Sequence, residues 1–406
     1  MRAETVDAEP TTDVTHFDRA IATTLERHPA LAAERARVEA KRYAVAEARS
    51  LRLPSLSGRV GHGIAGDEES AVSTLQLRQP LWTFGRIGRE IDHARIDHEA
   101  ELADLRTLRR DLAERTGIAY ARVLGAARRL AASALDAERL SGLVEQVRRR
   151  AAAKLASPAD VALAEARLVQ IAATRERLDT ELELARAELL ALTQVPVAVE
   201  GAVPRLRTAG ASLEALELDA RRTAPSLRRD ERLVALAVAD AARARARARP
   251  TVYLEGRRSF GDDDLDGDES RISLVIEGGL DGLGVIGVQR ARALDAGGRA
   301  AGAELEEART ELELRVRTLH ASRASNRALV DGYSASIDRL DTTLASYRRQ
   351  YDAGRKDWLE LLNLYREVAE LRLQLEQART ERTIDEVALA AITGRLDARA
   401  AAGEER

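Results

Sequence analysis

The hydrophobic pattern of this chain changes period along its length, and the changes come in the same order twice. Residues 31–194 read as helix, proline, two alternating stretches, long helix, break and helix, and residues 225–394 repeat that order. Leu53-Pro54 leads into Ser55-Leu56-Ser57-Gly58-Arg59-Val60 in the first copy, and Arg249-Pro250 into Thr251-Val252-Tyr253-Leu254-Glu255-Gly256 in the second. A period of roughly 200 residues is too long for a solenoid and indicates a duplicated half-molecule. The predicted organisation is a lead-in (1–16), a first repeat (17–194), a linker (195–212), a second repeat (213–394) and a tail (395–406).

Strict period-two alternation predicts two β-hairpins, at 53–82 and 250–281. Leu56, Gly58, Val60 and Ile64 share one face of the first strand, and Leu75, Leu77 and Leu81 one face of the second. In the second copy Val252, Leu254 and Phe260 alternate with Thr251, Tyr253 and Glu255, and Ile272, Leu274 and Ile276 with Ser273, Val275 and Glu277. Strands of ~10 residues cross a bilayer when tilted, but open edges are not tolerated in lipid, so four strands must be pooled with those of other chains. The plain alternative is two surface hairpins decorating a helical bundle.

The rest reads as helix. A first helix runs over about 17–52 with an interruption at His28-Pro29, and rods of ~65 residues, ~100 Å at 1.5 Å per residue, run over about 87–152 and 285–351. Their partners, about 158–193 and 357–393, carry heptads: Val161, Leu168, Leu182 and Leu189 in one, Leu361, Val368 and Leu375 in the other. A sustained seven-residue repeat makes a coiled-coil seam. Breaks at 153–158 and 352–357 separate each rod from its partner. There, Ser157 stands three before Asp160 and Asp357 three before Glu360, which is capping-box spacing.

Composition sharpens this picture. Aromatic content of 3% and charged content of 32% fit long packed helices better than a thick mixed core. Basic and acidic residues number 64 and 67 and alternate in sign along the helices, which argues against a nucleic-acid partner. With no cysteine there is no disulfide or thiolate chemistry. Met1–Asp7 show no apolar h-region of a signal peptide, and no run of 18 apolar residues predicts a transmembrane helix.

No catalytic constellation, cofactor motif or metal set is expected. His93 and His98 are five apart and do not share a helix face. The acidic stretch Asp262-Asp263-Asp264-Leu265-Asp266-Gly267 opens like a calcium loop, but Ser273 stands where the bidentate glutamate is required, so it reads as a solvated hairpin tip.

Four stretches carry a family resemblance: Ala20-Ile21 through His28-Pro29-Ala30-Leu31; Leu53-Pro54-Ser55-Leu56; Gln79-Pro80-Leu81-Trp82-Thr83-Phe84-Gly85-Arg86; and Tyr351-Asp352-Ala353-Gly354 through Leu359-Glu360-Leu361-Leu362. With the duplication, they make the chain resemble the TolC-like outer-membrane efflux and secretion channels. The resemblance implies a mainly α fold with two β-hairpins, in which a homotrimer forms a 12-stranded transmembrane β-barrel continued by an α-helical coiled-coil barrel across the periplasm. It implies a non-enzymatic exit duct in outer-membrane lipid, working with a periplasmic adaptor and an inner-membrane transporter. It also implies a periplasmic gate, Asp160 bonded by Tyr351 and Lys356, and a pore constriction at Glu360 and Asn363. The chain departs from the family at three places: Lys356 replaces an arginine, Asn363 is neutral, and Lys154 stands where the first repeat often has glycine. A soluble coiled-coil scaffold is the competing reading. A periplasmic adaptor would need a β-rich lipoyl-like module, for which no segment is visible.

Overall fold

The computed structural model describes residues 15–65, 68–204, 206, 208, 210–261, 269–279 and 285–397. Most of the lead-in, Gly66-Asp67 of the first hairpin loop, the acidic stretch 262–267 and the tail beyond 397 lie outside the described residues. Two equivalent series of elements follow one another. The first is α1 (His16–Arg27), α2 (Pro29–Ser50), β1 (Ser55–Ala65), β2 (Glu68–Trp82), α3 (Arg86–Ala152) and α4 (Pro158–Thr193). The second is α5 (Leu213–Thr223), α6 (Pro225–Arg247), β3 (Thr251–Gly261), β4 (Glu269–Glu277), α7 (Val285–Asp352) and α8 (Trp358–Ile392). The fold is mainly α with a small antiparallel sheet. Among the described residues no helix is long and apolar enough to cross a membrane.

Local chemistry sets the boundaries. Thr15 caps α1 in a reciprocal box with Asp18. Proline begins α2, α4 and α6, where its missing N–H costs nothing. The chain divides into two compact units, one of Met1–Leu31, Leu108–Ala224 and Glu311–Arg406, the other of Ala32–Thr107 and Pro225–Thr310.

The second unit holds one four-stranded sheet in the order β1-β2-β3-β4, antiparallel throughout. The hairpins are therefore not separate decorations; β2 pairs with β3 and joins the two repeats. Across the sheet Leu56 pairs with Leu77, Leu77 with Gly256, and Gly256 with Ile272, while Leu254 pairs with Leu274. Directly paired residues share a face, so these rows build one apolar surface. The sequence expectation for Leu81 needs correction: a bulge places Pro80 opposite Tyr253 and Trp82 opposite Val252, leaving Leu81 between them. Proline cannot donate to the ladder, and a bulge is where a sheet accommodates it.

The first unit is a packed helical body. Phe17 of α1 meets Tyr120 of α3 edge to face, with centroids 5.5 Å apart, and the Tyr120 hydroxyl donates to the Glu200 carbonyl in the linker at 2.8 Å. Gly125 lets α3 approach α8 closely, since a Cβ there would lie 2.2 Å from Thr380 Oγ1. Val330, Ile337, Leu344 and Tyr351 of α7 are buried at seven-residue steps, so Tyr351 is the last rung of that seam.

Candidate functional site

The two helical breaks in the first unit are built alike. At the end of α3, Lys154 N–H donates to Ala151 O (2.9 Å) and Leu155 N–H to Arg150 O (2.8 Å). At the end of α7, Gly354 N–H donates to Tyr351 O (3.0 Å) and Arg355 N–H to Gln350 O (2.8 Å). Both are Schellman endings, which require a left-handed residue after the helix. Gly354 takes it at φ +71°, and Lys154 takes it at φ +58°.

Beneath the turns lies a shared apolar cluster of Leu140, Val144, Val147, Ala164, Leu344, Tyr351, Trp358, Leu361 and Leu362. The Tyr351 and Trp358 rings stand 6.0 Å apart. Both polar atoms, Tyr351 Oη and Trp358 Nε1, are buried with no hydrogen-bond partner among the described residues. Such donors are uncommon in a packed interior. Burial pushes the Tyr351 phenol above its ordinary pKa; the nearby Arg150 guanidinium opposes this, and the charges of Asp160 and Asp352 add to it.

The predicted site residues fall into two groups. Asp160 and Tyr351 are neighbours close enough to interact electrostatically, yet no hydrogen bond joins them within the protomer. Asp160 is engaged in a capping box: Ser157 N–H donates to its Oδ2 (2.9 Å), and Ser157 Oγ accepts from Asp160 N–H (3.1 Å). Oδ1 takes no part in the box, so capping does not exhaust the carboxylate.

Lys356 and Glu360 form the other group. Lys356 Nζ donates to the Glu360 carboxylate one turn on and sits 4.4 Å from the Tyr347 ring centroid. Lys356 is thus not bonded to Asp160 in this chain. The second capping box expected from the sequence does not form either: Asp357 caps by accepting from Trp358 N–H at 2.7 Å, and Glu360 turns to the ammonium instead. In the lysine–glutamate bond both partners are charged, whereas a backbone donor is neutral. Asn363 is exposed.

Arg150 is the residue that sequence reasoning missed. Its Nη1 donates to the Tyr351 carbonyl (2.7 Å), and its guanidinium lies 4.4 Å from the Tyr351 ring centroid. The available signal was the run Arg148-Arg149-Arg150 in the last turn of α3, where cations complement exposed carbonyls. Gln146 also bridges from α3 to Asp352. A groove of about 290 Å³ beside this cluster is lined by Asp136, Leu140, Arg167, Ile171, Leu362 and Tyr365 among others.

In the second unit the sheet presents its apolar side to the outside. Val60 and Ile272 are each 82% exposed and Ile276 69%. The polar face is the ordered one: Arg78 bridges Glu255 (2.9 Å) and Glu277 (3.1 Å), and Arg257 donates to Glu255 (3.0 Å). Trp82 and Phe84, 61% and 45% exposed, stack edge to face where the strands meet the helices. His93 pairs with Asp240 at 3.0 Å, a helix-to-helix link.

This arrangement is known from other proteins. Residues 20–194 match the family model described as "Outer membrane efflux protein". That match covers most of the first repeat, which is similar to outer membrane efflux proteins. The chain superposes on the outer-membrane channel OprN with a TM-score of 0.82 at 22% identity, covering 93% of this chain and 90% of that one. The Campylobacter jejuni CmeC outer membrane channel gives 0.81 at 14% identity, covering 97% and 90%. The open state of the Neisseria gonorrhoeae MtrE outer membrane channel gives 0.76 at 19% identity, covering 97% and 95%. These likenesses establish the fold over nearly the whole chain. No curated protein sequence matches this one.

Proposed function

We propose that the chain is one protomer of a trimeric exit duct of the outer membrane, which passes small molecules or secreted protein out of the periplasm without chemistry of its own. The observation that carries this reading is the inverted sheet: its apolar face is exposed and its polar face holds the ion pairs. A sheet made for water buries the apolar face. In lipid the outward face must be apolar and both edges must be paired. Three copies of a four-stranded sheet meet that condition by closing a 12-stranded barrel through β1 and β4. The exposed Trp82 and Phe84 suit the interfacial level of such a barrel.

In this reading the paired turns form the periplasmic end, where an adaptor joined to an inner-membrane transporter docks. Asp160, Tyr351 and Lys356 act as the gate, with Glu360 and Asn363 at the constriction. The unpartnered Tyr351 hydroxyl and the unengaged Asp160 Oδ1 supply the donor and acceptor for such a latch. Opening is a shift between two helix arrangements biased by the partner.

Single-channel conductance in a planar bilayer tests the reading, with detergent-extracted protein beside Asp160→Ala/Tyr351→Phe. Ser157→Ala serves as control, since it removes the cap and leaves the latch. Small, mostly closed openings that grow in the double variant and not in the control are expected. Protein that stays soluble in plain buffer and never conducts would leave the coiled-coil scaffold instead.

A further inference from the structure

We infer that the helical tip attracts anions, so that the duct favours anionic cargo. This inference rests on the duct reading and adds the sign of what passes. Arg148, Arg149, Arg150 and Lys154 in the first turn face one acid, Asp160; Arg348, Arg349, Arg355 and Lys356 in the second face three, Asp352, Asp357 and Glu360. Eight cations against four acids leave +4 in two short stretches of a chain whose net charge is -3.

Partner geometry leaves most of these cations unpaired among the described residues. All four acids are occupied at short range. Ser157 N–H holds Asp160 and Trp358 N–H holds Asp357, while Gln146 donates to Asp352 and Lys356 to Glu360. Three of the cations are also engaged, Arg150 on Tyr351, Lys356 on Glu360, and Arg148 on Glu145 and Glu165. Arg149, Lys154, Arg348, Arg349 and Arg355 are exposed, and their side chains make no hydrogen bond or ion pair among the described residues. The free charge at the tip is therefore positive.

The constriction positions do not reverse that sign. Glu360 is neutralised by the lysine one turn before it, and Asn363 carries no charge. Exposed charges act over about 8–10 Å at physiological salt, the scale of a narrow opening. A cleft lined by one sign of charge concentrates its counter-ions. Three copies of the tip would enrich anions at the mouth and repel cations.

The test is the reversal potential of full-length protein in a planar bilayer under an asymmetric KCl gradient. Three variants accompany it: Arg349→Gln/Arg355→Gln, Lys356→Gln, and Glu360→Gln. Wild type is expected to reverse on the chloride side of zero. The double variant moves furthest toward zero, Lys356→Gln moves a smaller distance the same way because it leaves the Glu360 carboxylate unpaired, and Glu360→Gln moves toward chloride. A conducting wild type that reverses on the potassium side keeps the duct and overturns the anion inference. A chloride-side value that none of the variants moves overturns its assignment to the tip. Absence of any conductance removes the duct reading and this inference with it.

Discussion

Arg150 holds Tyr351 at two places at once, its Nη1 on the tyrosine carbonyl at 2.7 Å and its guanidinium 4.4 Å from the ring centroid. The two residues end α3 and α7, one in each repeat, so a single side chain ties the two turns of the protomer together. Charge-assisted hydrogen bonds contribute about 1.5–3 kcal/mol, and partial exposure places this one near the low end. Arg150→Ala is expected to favour the open tip by about 1 kcal/mol, roughly fivefold in the open-to-closed ratio. Arg150→Lys should recover only part of that, because an ammonium lacks the planar fork that lets one group bond the carbonyl and cover the ring. Open probability in single-channel records distinguishes the three proteins. Equal values would show that Arg150 does not restrain the tip.

Lys154 and Gly354 occupy the same left-handed position in the two turns, at φ +58° and +71°. A side chain costs roughly 1–2 kcal/mol there, partly offset for glycine by its greater freedom in the unfolded chain. Lys154→Gly should therefore stabilise the first turn by about 0.5–1 kcal/mol, and Gly354→Ala should destabilise the second by about 1 kcal/mol or more. Hydrogen exchange at the Lys154 and Leu155 amides, and at those of Gly354 and Arg355, reads each turn separately. An unchanged first turn in Lys154→Gly would mean that the lysine side chain compensates its backbone strain.

The sheet faces make a prediction that does not depend on the tip. Ile272 and Ser273 are neighbours on β4 and therefore point to opposite faces. An arginine on a lipid face costs about 2–4 kcal/mol near mid-bilayer, while a lumen face tolerates charge. Ile272→Arg should reduce the fraction recovered in outer membranes as heat-resistant oligomer, and Ser273→Arg should not. Equal loss in both, or in neither, would contradict a sheet with one face in lipid.

What was legible in the sequence followed from strong local signals. Proline at 54 and 250 ended helices, alternation marked the strands, and seven-residue spacing marked the seams. The pairing of β2 with β3 joins residues separated by some 180 positions, as with Leu77 and Gly256, and no local pattern encodes it. The Leu81 bulge was masked because Pro80 interrupts the ladder without interrupting the alternation. At the second turn the spacing of Asp357 and Glu360 was correct for a capping box, but Lys356 offered Glu360 a stronger partner. Spacing gives possible pairs; competition among partners decides which pairs form.

Close approach of α3 and α8 at Gly125 gives a packing prediction of the same kind. The Cβ of an alanine would meet Thr380 Oγ1 at 2.2 Å and Thr380 Cγ2 at 2.5 Å. Overpacking of this sort costs about 1–3 kcal/mol, although alanine is the better helix former. Gly125→Ala should lower the melting temperature, and Gly142→Ala, where nothing lies within 4 Å, should hold or raise it. A stable Gly125→Ala protein would mean that Thr380 can turn aside.

Asp385 gives the clearest pH dependence. It is buried on α8, accepting from Ser322 Oγ at 2.8 Å and Asn326 Nδ2 at 2.9 Å. Burial lifts its pKa above the ordinary 3.8, and the two hydrogen bonds and the charge of Arg323, which act the other way, do not overcome it. The folded chain therefore holds a proton that the unfolded chain has released over the window from about 3.8 up to the folded value. Stability from this group is complete below that window and is lost as pH rises through it. Both donors meet the same oxygen, Oδ2, so Asp385→Asn with its amide oxygen there keeps the shape and the acceptor for both but cannot titrate. Thermal melts of both proteins in detergent across pH 4–8 should show the wild type losing ground to the variant as pH rises. A difference that stays flat, or that grows in favour of the wild type with rising pH, would mean that the hydrogen bonds outweigh burial at this carboxyl.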